Sequence, residues 1–212
     1  MTVGRARWVH GVSASICLFL FVCLAAAMSS GATMPFDNFF LSGIHRWASP
    51  SLTMLAYGVS LLGSVAVLAI LFAIALVGFW IVGRPRPKIV LAWAMGGAVV
   101  LDNVLKYSFH RVRPEPFFGT APESYSFPSG HMLFSCCFYG ALVCILAASF
   151  RNGLSRAIVW ATVVVLVTAI GLSRIYLGFH YPTDVIGGLL IATFWIDALR
   201  SFGTFNDVTK RL

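Results

Sequence analysis

Charge is scarce in this sequence, and negative charge is the scarcest. Only seven aspartate and glutamate residues occur among 212, and charged residues of both signs make up 10% of the chain. A soluble domain usually carries about 25% charged residues, whereas 59% of this chain is hydrophobic. The composition excludes an ordinary soluble domain and predicts an integral membrane protein.

Cysteine is present without the spacing that a zinc site or a disulfide framework requires. The five cysteines all lie within apolar runs, at Cys17, Cys23, Cys136, Cys137 and Cys144. We therefore expect neither structural disulfides nor a bound metal, and the sequence indicates no cofactor.

A nucleic-acid-binding surface is missing as well. The formal net charge is +8, but the basic residues do not form a cluster with interleaved aromatic residues, as a nucleic-acid groove would require. The sequence also lacks internal repeats, low-complexity tracts and a second domain. The chain is therefore predicted to form one membrane-embedded domain over residues 1–212, with no nucleic-acid partner.

Long apolar runs dominate the sequence and predict an all-α bundle of six transmembrane helices. The runs cover residues 12–28, 52–82, 89–107, 129–148, 157–174 and 182–199. A span needs about 20 apolar residues, so the second run is too long for one upright helix and too short for two helices with a turn. We expect one tilted helix that bends near Gly63. The semi-polar residues 31–50 are predicted to lie in the membrane interface.

The first run has a second interpretation, a cleavable signal peptide, because Arg5 and Arg7 precede it and small residues follow it at 29–32. A retained anchor is favoured, since the run is about one bilayer long and the topology requires it.

Basic residues set the orientation of the six spans. With both termini in the cytoplasm, ten of the fifteen lysines and arginines fall on the inner side, in agreement with the positive-inside rule. These ten are Arg5, Arg7, Arg84, Arg86, Lys88, Arg151, Arg156, Arg200, Lys210 and Arg211. The same topology puts three polar clusters together at the outer surface.

One cluster joins the last two spans and contains His180 and Asp184. Pro182 favours a helix start between them, which puts Asp184 within hydrogen-bond reach of His180. That bond would fix the imidazole tautomer and leave the other ring nitrogen free to attack. The alternative is a polar loop with one satisfied histidine.

The other two clusters supply cations and a helix start. Lys106 and Arg113, together with Arg174 near the end of the fifth span, could neutralise a phosphoryl group. Pro-Ser-Gly at 128–130 would offer a hydroxyl and free N–H groups to an anion, and His131 could protonate a leaving oxygen. Taken singly, the cations could be a solvated helix end and the Pro-Ser-Gly a plain N-cap. Their convergence on one face favours a phosphoryl-transfer site that needs no metal.

Together the clusters resemble the complete three-part signature of the type 2 phosphatidic acid phosphatase family. The segments are 106–114, 128–131 and 173–184, with Lys106, Arg113-Pro114, Pro128-Ser129-Gly130-His131, Ser173-Arg174, His180 and Asp184 at the signature positions. The resemblance implies that His180 forms a phosphohistidine, that Asp184 orients it, and that His131 protonates the leaving group and then activates water. It also implies a phosphate-binding role for Lys106, Arg113, Ser129, Gly130 and Arg174, metal-independent catalysis, and a site on the extracytoplasmic face.

These observations predict an integral membrane phosphatase that hydrolyses the phosphomonoester or diphosphate of a lipid, in a bacterial inner membrane. Undecaprenyl diphosphate is the first substrate expected, followed by phosphatidylglycerophosphate, phosphatidate and lipid A 1-phosphate. The alternatives are a lipid phosphotransferase that uses the same intermediate and a non-catalytic lipid transporter or binder.

Other polar residues carry simpler expectations. Asp102 lies four residues before Lys106 and should pair with it, either for structure or to set the position of the lysine. Asp197 and Arg200 should form an ion pair. The outer-loop residues His110, Arg111, Glu115 and Glu123 are predicted to be solvated, with contact to a lipid headgroup as the alternative.

Overall fold

The computed structural model describes residues 3–120, 122–147, 150 and 152–205. All regular secondary structure in these residues is helical. The helices are α1 Val3–Ser29, α2 Met34–His45, α3 Pro50–Leu62, α4 Val65–Ile81, α5 Pro85–Phe109, α6 Gly130–Ala147, α7 Gly153–Tyr176 and α8 Pro182–Ser201. Three of the predicted inner-face residues, Arg151, Lys210 and Arg211, lie outside the described residues.

Five of these helices, α1, α5, α6, α7 and α8, are long and apolar enough to cross a membrane. Helices α3 and α4 pass the same test as a pair bent by 43°, and they make a sixth span if they cross together. The predicted bend is present, because Gly63 ends α3. A Cβ at Gly63 would lie 2.5 Å from Ile170 Cγ2 and 2.8 Å from Ser135 Oγ. The glycine therefore lets the bent pair approach α6 and α7 closely, and the chain is a multi-pass helical membrane protein.

Helices α6 and α8 lie at the centre of the bundle, and most of their residues are buried. Helix α1 packs along α8 and contributes Phe21 to the core, where its ring stacks on Phe127 at 5.6 Å between centroids. Near the C-terminal end of α8, Asp197 lies 4.0 Å from Arg200, as expected for an ion pair, but His10 Nδ1 is closer at 2.8 Å. The contact with His10 ties the start of α1 to the end of α8.

Helix α2 falls in the segment predicted to lie in the interface, and its 12 residues are too few to span a bilayer. Phe36, Phe39 and Phe40 are exposed on it, whereas Asp37 is fully buried. The helix therefore turns aromatic side chains outward and one carboxylate into the protein.

Candidate active site

The loop between α7 and α8 carries His180, which is only 2% exposed. Gly178 turns the chain there with φ at 74°. Pro182 begins α8 as predicted, and Asp184 lies in its first turn. His180 Nδ1 is 3.4 Å from Asp184 Oδ2, and the backbone N–H of Tyr181 donates to the same oxygen over 2.9 Å. The predicted proximity of the histidine and the carboxylate is confirmed.

The other nitrogen of His180 faces an arginine. Arg113 Nη1 donates to His180 Nε2 over 3.1 Å and to the carbonyl of Phe179 over 2.7 Å. A guanidinium has no acceptor, so Nε2 must offer its lone pair and the ring proton must sit on Nδ1, towards Asp184. The geometry therefore selects the tautomer that carries its proton on Nδ1 and leaves Nε2 unprotonated.

Burial sets the protonation state of this imidazole. It lowers the pKa of His180 from 6.5 to about 4, and the hydrogen bond with Asp184 only partly opposes this shift. Burial also lowers the pKa of Arg113, although a guanidinium stays protonated across the physiological range. The ring is consequently neutral at neutral pH beside a permanent cation.

The residue that precedes α6, Ser129, is packed against the start of α8. The N–H of Ser129 donates to the carbonyl of Asp184 over 2.9 Å. Its side chain is fully buried, and Ser129 Oγ has no hydrogen-bond partner in the described part of the chain. The hydroxyl therefore does not cap α6, which removes the plain N-cap as its explanation.

Gly130 allows the end of α5 to approach the start of α6. A Cβ at Gly130 would lie 2.9 Å from Asp102 Oδ1 and 3.2 Å from Lys106 Nζ. The predicted pair is present, because Lys106 Nζ donates to Asp102 Oδ2 over 2.9 Å. The ammonium group is thus held beside the backbone of Gly130.

Arg174, in the last turn of α7, is almost fully buried at the same end of the bundle. Its Nη1 donates to Ser60 Oγ over 2.7 Å, and its guanidinium lies 4.5 Å from the centre of the Phe179 ring. Its Nε has no partner among the described residues. One edge of this cation is therefore available to an anion.

A cavity of about 430 Å³ opens beside these groups. His131 and Arg174 both line it, together with Ser60 from the last turns of α3, Ser64 from the bend between α3 and α4, and Thr120 from the loop between α5 and α6. The eight predicted site residues thus meet at one end of the bundle, from segments far apart in sequence.

Two residues at this end were missed by the sequence analysis. Ser60, a serine within the second apolar run that no sequence pattern placed at the site, is a partner of Arg174. The prediction of a solvated side chain was wrong for Arg111, which is 9% exposed, whereas His110, Glu115 and Glu123 are exposed as expected. Arg111 donates to Asp184 Oδ1 over 2.6 Å and to Asp37 Oδ2 over 2.7 Å. The only signal for it was the presence of a carboxylate at Asp37 in an acid-poor chain.

Comparisons with known proteins find related phosphatases. Phosphatidylglycerophosphatase B of Bacillus subtilis (strain 168) is 28% identical over 189 residues, which cover 88% of this chain and 93% of that protein. An undecaprenyl-diphosphatase of Sulfolobus acidocaldarius is 33% identical over 125 residues, covering 54% of this chain and 56% of that protein. The crystal structure of the transmembrane PAP2 type phosphatidylglycerolphosphate phosphatase from Bacillus subtilis matches with a TM-score of 0.80 at 26% identity, over 94% of this chain and 98% of that one.

The family comparison covers the same part of the chain as the candidate site. Residues 88–206, more than half of the sequence, match the PAP2 superfamily. This range includes all eight predicted site residues. The chain belongs to the PAP2 superfamily.

Proposed function

We propose that this membrane lipid phosphatase hydrolyses the phosphomonoester or diphosphate of a lipid through a phosphohistidine at His180. The observation that carries the proposal is the position of His180 between Asp184 and Arg113, with Nε2 unprotonated. A neutral imidazole whose other nitrogen is held by a carboxylate is an activated nucleophile.

In the first step, His180 Nε2 attacks phosphorus and forms an N–P bond while the bond from phosphorus to the departing oxygen breaks. Protonated His131 donates its proton to that oxygen. Asp184 stabilises the positive charge that develops on the His180 ring. The products are the free lipid, or the lipid monophosphate from a diphosphate, and the phosphoenzyme.

In the second step, His131 is neutral and takes a proton from water as the water oxygen attacks phosphorus. The N–P bond breaks, inorganic phosphate is released, and both histidines return to their starting states. The two steps use the same pair of histidines on opposite sides of the phosphoryl group.

Cationic side chains supply the charge neutralisation that phosphoryl transfer needs. We assign this role to Lys106, Arg113 and Arg174, with Ser129 Oγ and the N–H of Gly130 as hydrogen-bond donors to phosphate oxygens. Since these groups already meet the charge on the phosphoryl oxygens, catalysis is proposed to proceed without a metal ion.

The substrate class is a lipid with a terminal phosphate or diphosphate. The relative that aligns over most of the chain is named for phosphatidylglycerophosphate, and the one that aligns over about half is named for undecaprenyl diphosphate. The longer alignment favours phosphatidylglycerophosphate, and undecaprenyl diphosphate, expected first from the sequence, remains the principal competitor.

The site is proposed to face the extracytoplasmic side of a bacterial inner membrane, with both termini in the cytoplasm and residues 1–212 forming one phosphatase domain. The distribution of basic residues supports this orientation. In a variant without native cysteines, a cysteine at the exposed Glu123 should react with an impermeant maleimide added outside intact cells, and one at the exposed Arg84 should not. The opposite labelling pattern would reverse the topology.

Phosphate release by detergent-purified protein tests the proposed activity. Phosphatidylglycerophosphate, undecaprenyl diphosphate, phosphatidate and lipid A are assayed in excess EDTA beside the His180→Ala variant. We expect EDTA to leave the activity intact and the variant to abolish it. A variant as active as the parent would overturn the histidine mechanism, and loss of activity in EDTA would overturn metal independence.

The same assay separates a phosphatase from a phosphotransferase. A transferase passes the phosphoryl group to a second lipid, so it releases no inorganic phosphate when the acceptor is omitted. Release from a single purified lipid substrate is the result expected here.

A further inference from the structure

Arg111 joins two carboxylates that are distant in sequence and fully buried. Its Nη2 donates to Asp37 Oδ2 on α2, and its Nη1 donates to Asp184 Oδ1 on α8. The Asp37 carboxylate also accepts from the N–H of Thr183 over 3.0 Å and from its hydroxyl over 2.7 Å. A membrane-interface helix is thereby tied to the helix that holds the catalytic carboxylate.

We propose that Arg111 and Asp37 are positioning residues for the phosphatase reaction, which hold Asp184, and through it His180, in the attacking geometry. We call this arrangement the Asp37–Arg111 clamp. The inference rests on the proposed function, since it concerns the same histidine and carboxylate.

The hydrogen bonds of Asp184 show why a clamp is needed. Asp184 Oδ2 is shared between the N–H of Tyr181 and the His180 ring, whose contact is long at 3.4 Å. Asp184 Oδ1 is held by Arg111 at 2.6 Å. Rotation of the carboxylate about its Cβ–Cγ bond would carry Oδ2 away from the imidazole, and the guanidinium prevents this rotation.

Arg111 is itself fixed on every side described. Its Nη1 also donates to Thr183 Oγ1 over 2.8 Å, and its guanidinium lies 4.2 Å from the centre of the Tyr181 ring. On the other side of the guanidinium, Nη2 donates to Asp37 Oδ2 over 2.7 Å. A planar guanidinium can bond two carboxylates at once, whereas a lysine offers a single point charge.

The charges of the clamp also suit the reaction. The two carboxylates share one guanidinium, so the clamp carries one excess negative charge on the Asp184 side of the His180 ring, opposite the Arg113 cation on the Nε2 side. When a phosphate oxygen neutralises Arg113, that excess charge stabilises the positive ring that attack by Nε2 creates. Arg111 does not contact the cavity lined by His131 and Arg174, and its effect should therefore fall on the chemical step more than on substrate binding.

The clamp further gives α2 a role at the site. The side of α2 that carries Phe36, Phe39 and Phe40 is exposed, and the side that carries Asp37 reaches Arg111 and Thr183. A helix seated in the interface by its aromatic residues would hold Asp37 at a fixed depth. Through Arg111, Asp184 is thus held at a fixed depth relative to the membrane surface.

Steady-state kinetics of Arg111→Gln, Arg111→Lys and Asp37→Asn test the proposal, with Arg46→Gln as control because Arg46 is an exposed arginine near the end of α2. A displacement of about 1 Å can cost about 100-fold in rate. We expect kcat to fall by about 10- to 100-fold in Arg111→Gln. The fall should be smaller in Arg111→Lys and in Asp37→Asn. KM should stay within about twofold of the parent in all of them, since binding groups are untouched.

The variants are first compared with the parent by thermal unfolding and gel filtration in detergent. Removal of one partner from a buried ion pair is strongly destabilising, so Arg111→Gln can fail to fold. In that case Asp37→Asn decides, because it leaves Arg111 on Asp184. Its kcat should be reduced at unchanged KM.

A folded variant whose kcat equals that of the parent, or whose whole loss lies in KM, would overturn the clamp. His180→Ala is assayed in the same series to separate the two levels of inference. If His180→Ala is active, the proposed mechanism fails. If it is inactive while Arg111→Gln and Asp37→Asn match Arg46→Gln, only the clamp fails.

Discussion

Arg113 Nη1 donates a hydrogen bond to His180 Nε2 over 3.1 Å, so the cation occupies the lone pair that is proposed to attack phosphorus. Arg113 is held in this position by the carbonyls of Phe179 and Ser124, each at 2.7 Å. A phosphate oxygen that accepted the same N–H would free the Nε2 lone pair and bring phosphorus next to it. Binding and activation of the nucleophile are thereby linked through one guanidinium.

The pKa of His180, lowered by burial to about 4, predicts the acid side of the pH profile. Only the neutral ring attacks, so protonation of His180 should reduce kcat/KM only as the pH falls through about 4. Between about pH 7 and about pH 5, protonation of His180 should cause no loss of kcat/KM. The measurement is kcat/KM against pH with a short-chain substrate. The phosphate of that substrate ionises at about pH 6 and is titrated separately. After correction for the substrate phosphate, a fall in kcat/KM on the acid side with its midpoint near the ordinary pKa of histidine would contradict the prediction.

Ser129→Ala should impair catalysis while leaving the fold intact. The hydroxyl is buried and has no hydrogen-bond partner in the ranges described, so its removal breaks no intramolecular bond. A lost hydrogen bond to a charged group is worth about 1.5–3 kcal/mol, which corresponds to a fall in kcat/KM of about 10- to 100-fold. The matched control is Ser135→Ala in the second turn of α6, another buried hydroxyl without a partner in the described ranges. Equal activity of the two variants would remove Ser129 from the phosphate site.

Gly130→Ala should lower activity because the added methyl group would meet Asp102 Oδ1 at 2.9 Å and Lys106 Nζ at 3.2 Å. The lysine can move only by leaving its position beside the start of α6, so we expect KM to rise. Gly140→Ala on the same helix is the control, since a Cβ there meets nothing within 4 Å. That control should be fully active and should gain up to about 1 kcal/mol of stability from helix propensity. Parent-like KM in Gly130→Ala would show that Lys106 does not bind phosphate from this position.

Ser60→Ala tests whether the bend between α3 and α4 contributes to the site. Alanine is as small as serine, so close helix packing is kept, but Arg174 Nη1 loses the acceptor that holds it at 2.7 Å. We expect KM to rise by about tenfold or more, since a hydrogen bond from a charged donor to a neutral acceptor is worth about 1.5 kcal/mol or more. The exposed Ser51, also on α3, provides the control variant Ser51→Ala. An unchanged KM would show that Ser60 does not contribute to substrate binding.

Local patterns made much of the fold predictable. The apolar runs predicted the long helices, because a bilayer requires every backbone polar group to be satisfied within the segment. The proline at 182 predicted the start of α8, and the spacing of His180 and Asp184 predicted their contact, because one helical turn sets that distance. Asp102 and Lys106 paired for the same reason.

The part of the site that sequence analysis missed depends on long-range contacts. Arg111 stands in a polar loop, where solvation is the ordinary expectation, and its two carboxylate partners are 74 and 73 residues away. Ser60 is 114 residues from Arg174. No local periodicity relates such positions.

The sequence by itself therefore determined the membrane-spanning helices, the family signature and the pairs formed within one helical turn, since each follows from short-range geometry and apolar length. Only the tertiary structure decided that Arg111 bridges Asp37 and Asp184, that Ser60 holds Arg174, and that Arg113 contacts Nε2 of His180. Those relationships arise because burial excludes water from the end of the bundle, and each buried charge must then find its partner on whichever helix packs beside it.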